Sequence, residues 1–268
     1  MNSAWQEEYP EVQNDGVGPG LYFAQEMQVR TGGVPQGVIS CAVGGASLWQ
    51  WSPNGTNNYY TAALRRFKEC GGNIRGVFWH QGESQAGSSA EAFVADMKTL
   101  VGAMREDFND SHLPFVQVQI HRYYAGADAA WTVIREAQRT LGEHIDNLAT
   151  VYSLDSELDD LIHLSSESQV KVGKRAGEAM AVLLGYEGVA SPEIDRFEIV
   201  QDEYKPFCWN IMIHYKNIVG ELEALGVPSG YYICNSSGQQ TYPIVRTILK
   251  ENTVRLVLEL SAEAIGQR

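Results

Sequence analysis

The chain has 268 residues, of which 44% are hydrophobic and 20% are charged, so it can bury the core of one large domain or of a medium and a small one. Its formal net charge of −13 makes nucleic acid and anionic membrane surfaces poor partners. No apolar run approaches the roughly 20 residues of a membrane span, and we expect no signal peptide in the first residues.

Short apolar runs alternate with amphipathic segments over the first 190 residues. The runs that predict strands are Val38–Val43, Gly76–His80, Phe115–Ile120 and Ala149–Leu154. The segments that predict helices are Leu21–Arg30, Tyr60–Glu69, Ala90–Asp107, Trp131–Leu141 and Ser166–Leu184. Strands that alternate with helices of this length indicate βαβ units, and therefore an α/β fold with a mostly parallel sheet.

The pattern changes after Ser191-Pro192. From about Ile194 onward, the chain offers short β-rich runs and a turn signal, which are Trp209–Tyr215, Gly230–Cys234, Asn235–Gly238 and Thr253–Leu258. We therefore predict an α/β domain over residues 1–190 and a small β-rich domain over residues 191–268.

The spacing of cysteine and histidine does not indicate a metal site. Four cysteines are widely scattered, at Cys41, Cys70, Cys208 and Cys234, and neither Cys-x-x-Cys nor His-Glu-x-x-His occurs. We expect free thiols rather than a metal site or a disulfide framework.

Two glycine-rich or polar turns follow predicted strands, in the place where an open parallel sheet binds its ligands. The N–H groups of Gly44-Gly45 can point at a developing oxyanion, although a turn that needs positive φ explains these glycines equally well. The amide of Gln81 can donate to an oxyanion, and the carboxylate of Glu83 can hold the loop. The alternative is that Gln81 and Glu83 only satisfy the backbone of their loop.

An acid three residues before a histidine is the strongest chemical signal in the chain. Asp160 and His163 lie between a predicted strand and a predicted helix. The carboxylate can accept from one ring nitrogen and leave the other free to take a proton from a nucleophile. Asp159 is the competing acid, and a structural or exposed histidine is the alternative interpretation. We expect the other histidines to be structural or surface residues, namely His80, His112, His121, His144 and His214.

Taken in order, these segments resemble the sialate O-acetylesterase-like branch of the SGNH hydrolases, which also contains carbohydrate acetylesterases. The matching pieces lie between residues 16 and 185 and are Gly18–Leu21, Val38–Ser47, Trp79–Ser84, Trp131 with Ile134–Gln138, and Asp160–His163 with Gln169, Gly173 and Ala176. The resemblance implies a three-layer, flavodoxin-like core, and the β-rich tail looks like the appended domain of some sialate O-acetylesterases.

The resemblance also implies roles for individual residues. His163 would be the general base and acid, and Asp160 would orient it. The Gly44–Gly45 backbone and Gln81 would line the oxyanion hole, and Glu83 would support that loop. The reaction would remove an acetyl group from a sugar hydroxyl through an acyl-serine intermediate, with neither metal nor organic cofactor. The partner would be an acetylated carbohydrate; the sugar, the oligomeric state and the compartment stay open.

The family's nucleophile lies in a Gly-Gln-Ser-Asn block at the end of its first strand, upstream of the Gly-Pro-Gly-Leu segment. This chain contains no such block. We therefore expect an N-terminally shortened esterase domain whose first strand and nucleophilic serine lie outside the chain. Two alternatives stay open: a catalytically inactive carbohydrate-binding or scaffold protein, and an esterase that uses Ser47 as its nucleophile.

Overall fold

A computed structural model of the protein describes residues 17–55, 57–123, 129–224, 226–234 and 240–259. The chain divides into two compact units, residues 1–190 and residues 191–268. The first unit carries all of the segments in which chemistry is predicted.

The first unit is built on a three-stranded parallel sheet. Its strands are β1 (Val77–His80), β2 (Phe115–Val118) and β3 (Leu148–Val151), in that spatial order. Each strand starts level with its neighbour, since Val77 pairs with Phe115 and Phe115 pairs with Leu148. All four residues of β2 are buried, which is typical of a parallel strand covered on both faces.

Helices cover the two faces of this sheet. They are α1 (Gly20–Arg30), α2 (Leu48–Trp51), α3 (Tyr59–Glu69), α4 (Ala90–Asp107), α5 (Ala129–Arg139) and α6 (Ser166–Leu183). Phe115 belongs to a core cluster with residues of α4 and α5, whereas Val116 belongs to a second cluster with residues of α6. Successive strand residues thus point to opposite layers, and the predicted α/β core with a parallel sheet is confirmed.

One predicted strand is absent: Val38–Val43 has no regular secondary structure. A strand needs a partner for its N–H and C=O groups, and no described strand pairs with this segment. Instead, the Nη1 atom of Arg66 donates to the carbonyl of Ser40 at 2.6 Å. Cys41 and Val43 pack against the core, which explains the apolar pattern of the segment. β1 consequently has a described partner only in β2.

Two glycines let α1 and α6 pack closely. A Cβ atom on Gly177 would lie 2.8 Å from the carbonyl oxygen of Phe23, and one on Gly173 would collide with the carbonyl oxygen of Pro19. Both glycines are buried in α6, so the backbone of α1 occupies the space that a side chain would need. This packing fixes the start of α6, the helix that directly follows the Asp160–His163 loop.

Ion pairs tie α6 to the start of the same loop. The guanidinium group of Arg175 contacts both carboxylate oxygens of Asp155 at 2.7 Å, and the Nζ atom of Lys171 lies 2.6 Å from Asp155 Oδ2. Burial opposes ionisation of Asp155, but the hydrogen bonds from Arg175 and Lys171 prevail and hold the pKa of its carboxyl well below the usual range.

The second unit is antiparallel. A four-stranded sheet has the order β4 (Glu193–Gln201), β5 (Cys208–Lys216), β9 (Thr253–Glu259) and β8 (Ile244–Lys250), and β6 (Ile233–Cys234) pairs with β7 (Gln240–Tyr242). The predicted runs at 209–215 and 253–258 fall inside β5 and β9, whereas only two residues of the run at 230–234 form a strand. The predicted turn at 235–238 lies outside the described residues.

Among the described side chains, Cys41, Cys70 and Cys208 are free thiols, as expected. The described residues include no helix that is long and apolar enough to cross a membrane.

We predict that Gly177→Ala lowers the free energy of unfolding by about 1–3 kcal/mol, because the added methyl group overpacks the contact between α1 and α6. The control is Gly102→Ala in α4, where a Cβ atom would meet nothing within 4 Å. It should raise stability by up to about 1 kcal/mol through helix propensity. Urea denaturation measures both, and equal effects of the two variants would contradict the packing argument.

We predict that Asp155→Asn lowers the free energy of unfolding at pH 7 by about 0.5–1 kcal/mol, the range for ion pairs that are partly exposed. A carboxyl group whose pKa is lowered on folding stabilises the protein above its unfolded pKa of about 3.9, and this contribution is lost as the pH falls toward the folded value. The difference from the wild type should therefore shrink progressively below about pH 4.

Asp96 provides the control for this measurement, since it is exposed on α4. Asp96→Asn should leave the stability at pH 7 within about 0.5 kcal/mol of the wild type. Denaturation curves recorded from pH 7 down to pH 3 would refute the prediction for Asp155→Asn if its deficit stayed constant with pH.

Candidate functional site

Asp160 holds both the ring of His163 and the backbone of the loop. Its Oδ2 atom lies 2.6 Å from His163 Nδ1, and its Oδ1 atom accepts from the backbone N–H groups of Ile162 and His163, both at 2.7 Å. The hydrogen bond from His163 and the two from the backbone lower the pKa of Asp160 to about 2. The carboxylate is therefore anionic at neutral pH, which favours the tautomer with hydrogen on Nδ1 and a free lone pair on Nε2.

The competing acid takes a different place in the same loop. The backbone N–H of Asp159 donates to the carbonyl of His163 at 2.9 Å, and Leu158 forms an isolated bridge with Leu164. The two ends of the loop are therefore bonded to each other. Within the loop, the Asp160 side chain contacts the imidazole ring of His163. Asp160, rather than Asp159, is the acid that the structure sets against His163.

The imidazole of His163 is open to solvent. Its side chain is 71% exposed, and no described residue forms a hydrogen bond with Nε2. The nitrogen that would act as a base therefore faces outward, unobstructed by the described part of the chain.

The Gly44–Ser47 turn is bonded to the residues that follow β1. The Nε2 atom of Gln81 donates to the carbonyl of Ala46 at 3.2 Å, and Ser84 Oγ donates to the carbonyl of Gly45 at 3.1 Å. Gly45 has a φ of 69°, in the left-handed region that favours glycine. In the described part of the chain, the N–H groups of Gly44 and Gly45 have no acceptor, and both glycines are exposed.

The amide group of Gln81 is buried, and its two ends differ. Its Nε2 atom donates to Gln85 Oε1 as well as to Ala46, which engages both N–H bonds. Its Oε1 atom is buried without a hydrogen-bond partner among the described residues. Donation to an oxyanion therefore requires that Nε2 exchange one of these bonds or that the amide turn over.

The Ser47 side chain caps the helix that follows it. Its Oγ atom accepts from the backbone N–H of Gln50 at 3.4 Å, and the Gln50 side chain accepts from the N–H of Ser47 at 2.9 Å. This is a capping box at the N-terminus of α2. No described hydrogen bond links Ser47 to His163.

Glu83 has a neighbour that the sequence analysis did not single out. Its Oε1 atom lies 3.8 Å from His80 Nε2, and burial lowers the pKa of His80, with the nearby Glu83 carboxylate opposing that shift. His80 is therefore neutral at pH 7. The signal was present in the sequence, since His80 and Glu83 have the same three-residue spacing as Asp160 and His163.

An aromatic stack lies between these two groups of residues. Tyr123 follows β2, and its ring is parallel to that of Trp131, with the centroids 4.8 Å apart. β2 separates β1 from β3, so the Gln81 and His163 loops leave strands about 10 Å apart. Ile162 and Tyr123 pack against the same core cluster to which Ala46 belongs. The stacking partner of Tyr123 could not be inferred from sequence spacing.

The described residues include no cluster of three or more histidine, cysteine, aspartate or glutamate side chains that could hold a metal ion. The chemistry available here is that of an oriented imidazole, backbone N–H donors and side-chain amides, all suited to general base catalysis of acyl transfer.

Comparison with known proteins finds carbohydrate esterases. A probable carbohydrate esterase of Arabidopsis thaliana is 34% identical over 172 residues, and the match covers 61% of this chain and 63% of that protein. The chain thus spans less than two thirds of this curated relative.

Two solved structures are similar as well. The X-ray structure of an Arabidopsis thaliana protein has a TM-score of 0.54 at 33% identity, covering 62% of this chain and 69% of that one. A carbohydrate acetylesterase from Xanthomonas citri has a TM-score of 0.72 at 20% identity, covering 92% of this chain and 57% of that one. At that identity, the second likeness shows a shared fold.

The family model for carbohydrate esterases described as sialic acid-specific acetylesterases matches residues 2–182. This match spans almost the whole α/β unit and includes each of the loops described above. The chain belongs to this carbohydrate esterase family.

Proposed function

We propose that this protein removes acetyl groups from sugar hydroxyls, with His163 as the general base and acid and Asp160 as the residue that orients it. The observation that carries the proposal is the short contact between Asp160 Oδ2 and His163 Nδ1, which leaves Nε2 free and exposed. An acetylated carbohydrate is the substrate class, because the family consists of carbohydrate esterases.

In the proposed reaction, Nε2 of His163 takes the proton of a serine hydroxyl as the serine oxygen attacks the acetyl carbonyl carbon. The carbonyl oxygen becomes an oxyanion, stabilised by the N–H groups of Gly44 and Gly45 and by the amide of Gln81. His163 then protonates the departing sugar oxygen, which leaves an acetyl-serine. Water, deprotonated by His163, releases acetate and restores the serine. Glu83 supports the oxyanion loop.

The nucleophilic serine is proposed to lie outside the described residues. None of the described serine hydroxyls hydrogen-bonds to His163 Nε2, and Ser47 is engaged in its capping box. Among the described strands β1 pairs only with β2, which favours this interpretation, because the family's nucleophile ends a strand of the same sheet. A strand paired with β1 would end beside Gln81.

The absence of a described hydroxyl on Nε2 also favours a second candidate function. A protein without the nucleophile would keep the loops of the site and bind an acetylated carbohydrate without cleaving it. The two candidates differ in one observable, which is the release of acetate.

We predict that His163→Ala reduces kcat/KM for p-nitrophenyl acetate and for an O-acetylated sugar by about 10⁶-fold, because removing the base of such a triad costs on that order. Asp160→Asn should reduce it by about 10⁴-fold, because the imidazole loses the partner that fixes its tautomer. His112→Ala is the matched control, since that side chain is exposed and its described bonds are made by backbone atoms.

An unchanged rate in His163→Ala would overturn the proposed mechanism. If the wild-type protein binds the acetylated sugar and releases no acetate, the carbohydrate-binding alternative replaces it.

We predict that a fluorophosphonate probe labels a serine outside residues 17–55, 57–123, 129–224, 226–234 and 240–259, and that His163→Ala abolishes labelling because the serine is no longer activated. Peptide mapping by mass spectrometry identifies the labelled position. An adduct on Ser47 would instead establish that residue as the nucleophile, and Ser47→Ala provides the corresponding control.

A further inference from the structure

A buried glutamine on α5 joins the ends of β1 and β2. Gln138 has no exposed surface. Its Nε2 atom donates to the carbonyl of Gln81 at 2.9 Å and to that of Val118 at 3.3 Å, and its Oε1 atom accepts from the N–H of Ile120 at 2.8 Å. One side-chain amide therefore satisfies three backbone groups that belong to two neighbouring chain segments.

These bonds begin where the strand ladder stops. The last pair of β1 and β2 joins His80 to Val118. Beyond that pair, the chain after β1 turns toward the Gly44–Ser47 loop, and direct pairing between the two segments ends. Gln138 occupies this gap and holds the Gln81 peptide at the carboxyl end of β1.

The residue after Gln81 is a glycine, which leaves room for the side-chain amide of Gln138. Gly82 has a φ of 157°, and a Cβ atom there would lie 2.8 Å from Gln138 Nε2 and 2.9 Å from Ile120 Cγ2. A larger residue at position 82 would therefore displace the amide. The carbonyl of Gln81 thus accepts a hydrogen bond from Gln138. Gly82, which has no side chain, lets the Gln138 amide pack against its backbone.

Gln138 is itself held from the other side. Its backbone carbonyl accepts from Gln117 Nε2 at 2.8 Å and from Thr150 Oγ1 at 2.9 Å. These contacts come from β2 and β3, the two strands that α5 covers. The backbone of Gln138 is thus held by side chains of the sheet and not by the loops of the candidate site.

We propose that Gln138 is a positioning residue: it holds the Gln81 peptide and, through it, the Gln81 side chain that is proposed as an oxyanion donor. The catalytic part of this inference rests on the proposed function, whereas its positional part concerns only the described contacts. Arginine or lysine could not replace Gln138, because the site requires two donated hydrogen bonds and one accepted hydrogen bond from a single neutral group, and neither cation can accept.

The test uses Gln138→Met, which keeps the approximate shape of the side chain and removes both its donor and its acceptor, and Gln138→Glu, which keeps an acceptor for Ile120. The matched control is Gln119→Met. Gln119 is equally a buried glutamine, and its Nε2 atom donates to the carbonyl of Arg135 on the same helix at 2.9 Å. It makes no described contact with Gln81.

The first readout is the side-chain amide resonance of Gln81 in ¹⁵N-labelled protein. Gln138→Met and Gln138→Glu should shift or broaden it, whereas Gln119→Met should leave it in place despite a comparable loss of thermal stability. An unchanged Gln81 resonance in a folded Gln138 variant, or an equal change in Gln119→Met, would overturn the inference.

The second readout is the split between kcat and KM for acetyl ester hydrolysis. Loss of one oxyanion donor costs about 10²–10³-fold in kcat. Displacement of Gln81 should therefore lower kcat by about 10–10³-fold in the Gln138 variants and leave KM within about twofold. An equal loss of kcat in Gln119→Met would contradict the inference, because Gln138 would then only stabilise the fold. If the wild-type protein hydrolyses no acetyl ester, the proposed function fails, and the resonance of Gln81 alone decides the positional part.

Discussion

The parallel, level pairing of β1, β2 and β3 is the constraint on which the candidate site depends. Three strands that run in one direction deliver their carboxyl ends to a single edge of the sheet, together with the loops that follow them. Residues more than 80 positions apart in the chain, such as Gln81 and His163, are thereby collected within a few strand spacings. Any change that tilts or shifts β2 would separate the proposed oxyanion donors from the proposed base.

Two acid–histidine pairs with the same spacing behave differently because their surroundings differ. Asp160 and His163 are both exposed, and backbone N–H groups hold the carboxylate in its anionic form. His80 is partly buried, and the Glu83 carboxylate lies 3.8 Å from its Nε2 atom; burial lowers the pKa of His80 against the effect of that carboxylate, so the neutral form is favoured. The first pair can exchange protons with a substrate in solvent. The second lies at the end of β1 and in the turn that follows it, where a supporting role is proposed for Glu83.

The sequence predicted those features that depend on residues close to one another in the chain. Helical periodicity located α4 and α6, and the three-residue spacing of Asp160 and His163 correctly indicated a contact made within one turn. The prediction of a strand at Val38–Val43 was wrong. The apolar composition of this segment reflects burial, whereas a strand also requires a partner strand. The sequence could not predict the role of Gln138, whose partners lie 18, 20 and 57 positions away.

The carboxyl end of β1 carries buried polar atoms that have no hydrogen-bond partner among the described residues. Trp79 Nε1, His80 Nε2 and Gln81 Oε1 belong to three successive residues, and each atom is buried without a hydrogen bond in the described part of the chain. Buried polar groups in folded proteins are almost always bonded, and a few unsatisfied ones are spread over a whole domain. The three atoms lie at the carboxyl end of β1, whose partner among the described strands is β2. A strand carrying the nucleophile and the acetylated sugar would both bring hydrogen-bonding groups to this place. Other buried atoms without a described hydrogen bond include Gln117 Oε1 and Gln119 Oε1, in and directly after β2, but the run of three successive residues lies beside the proposed oxyanion site.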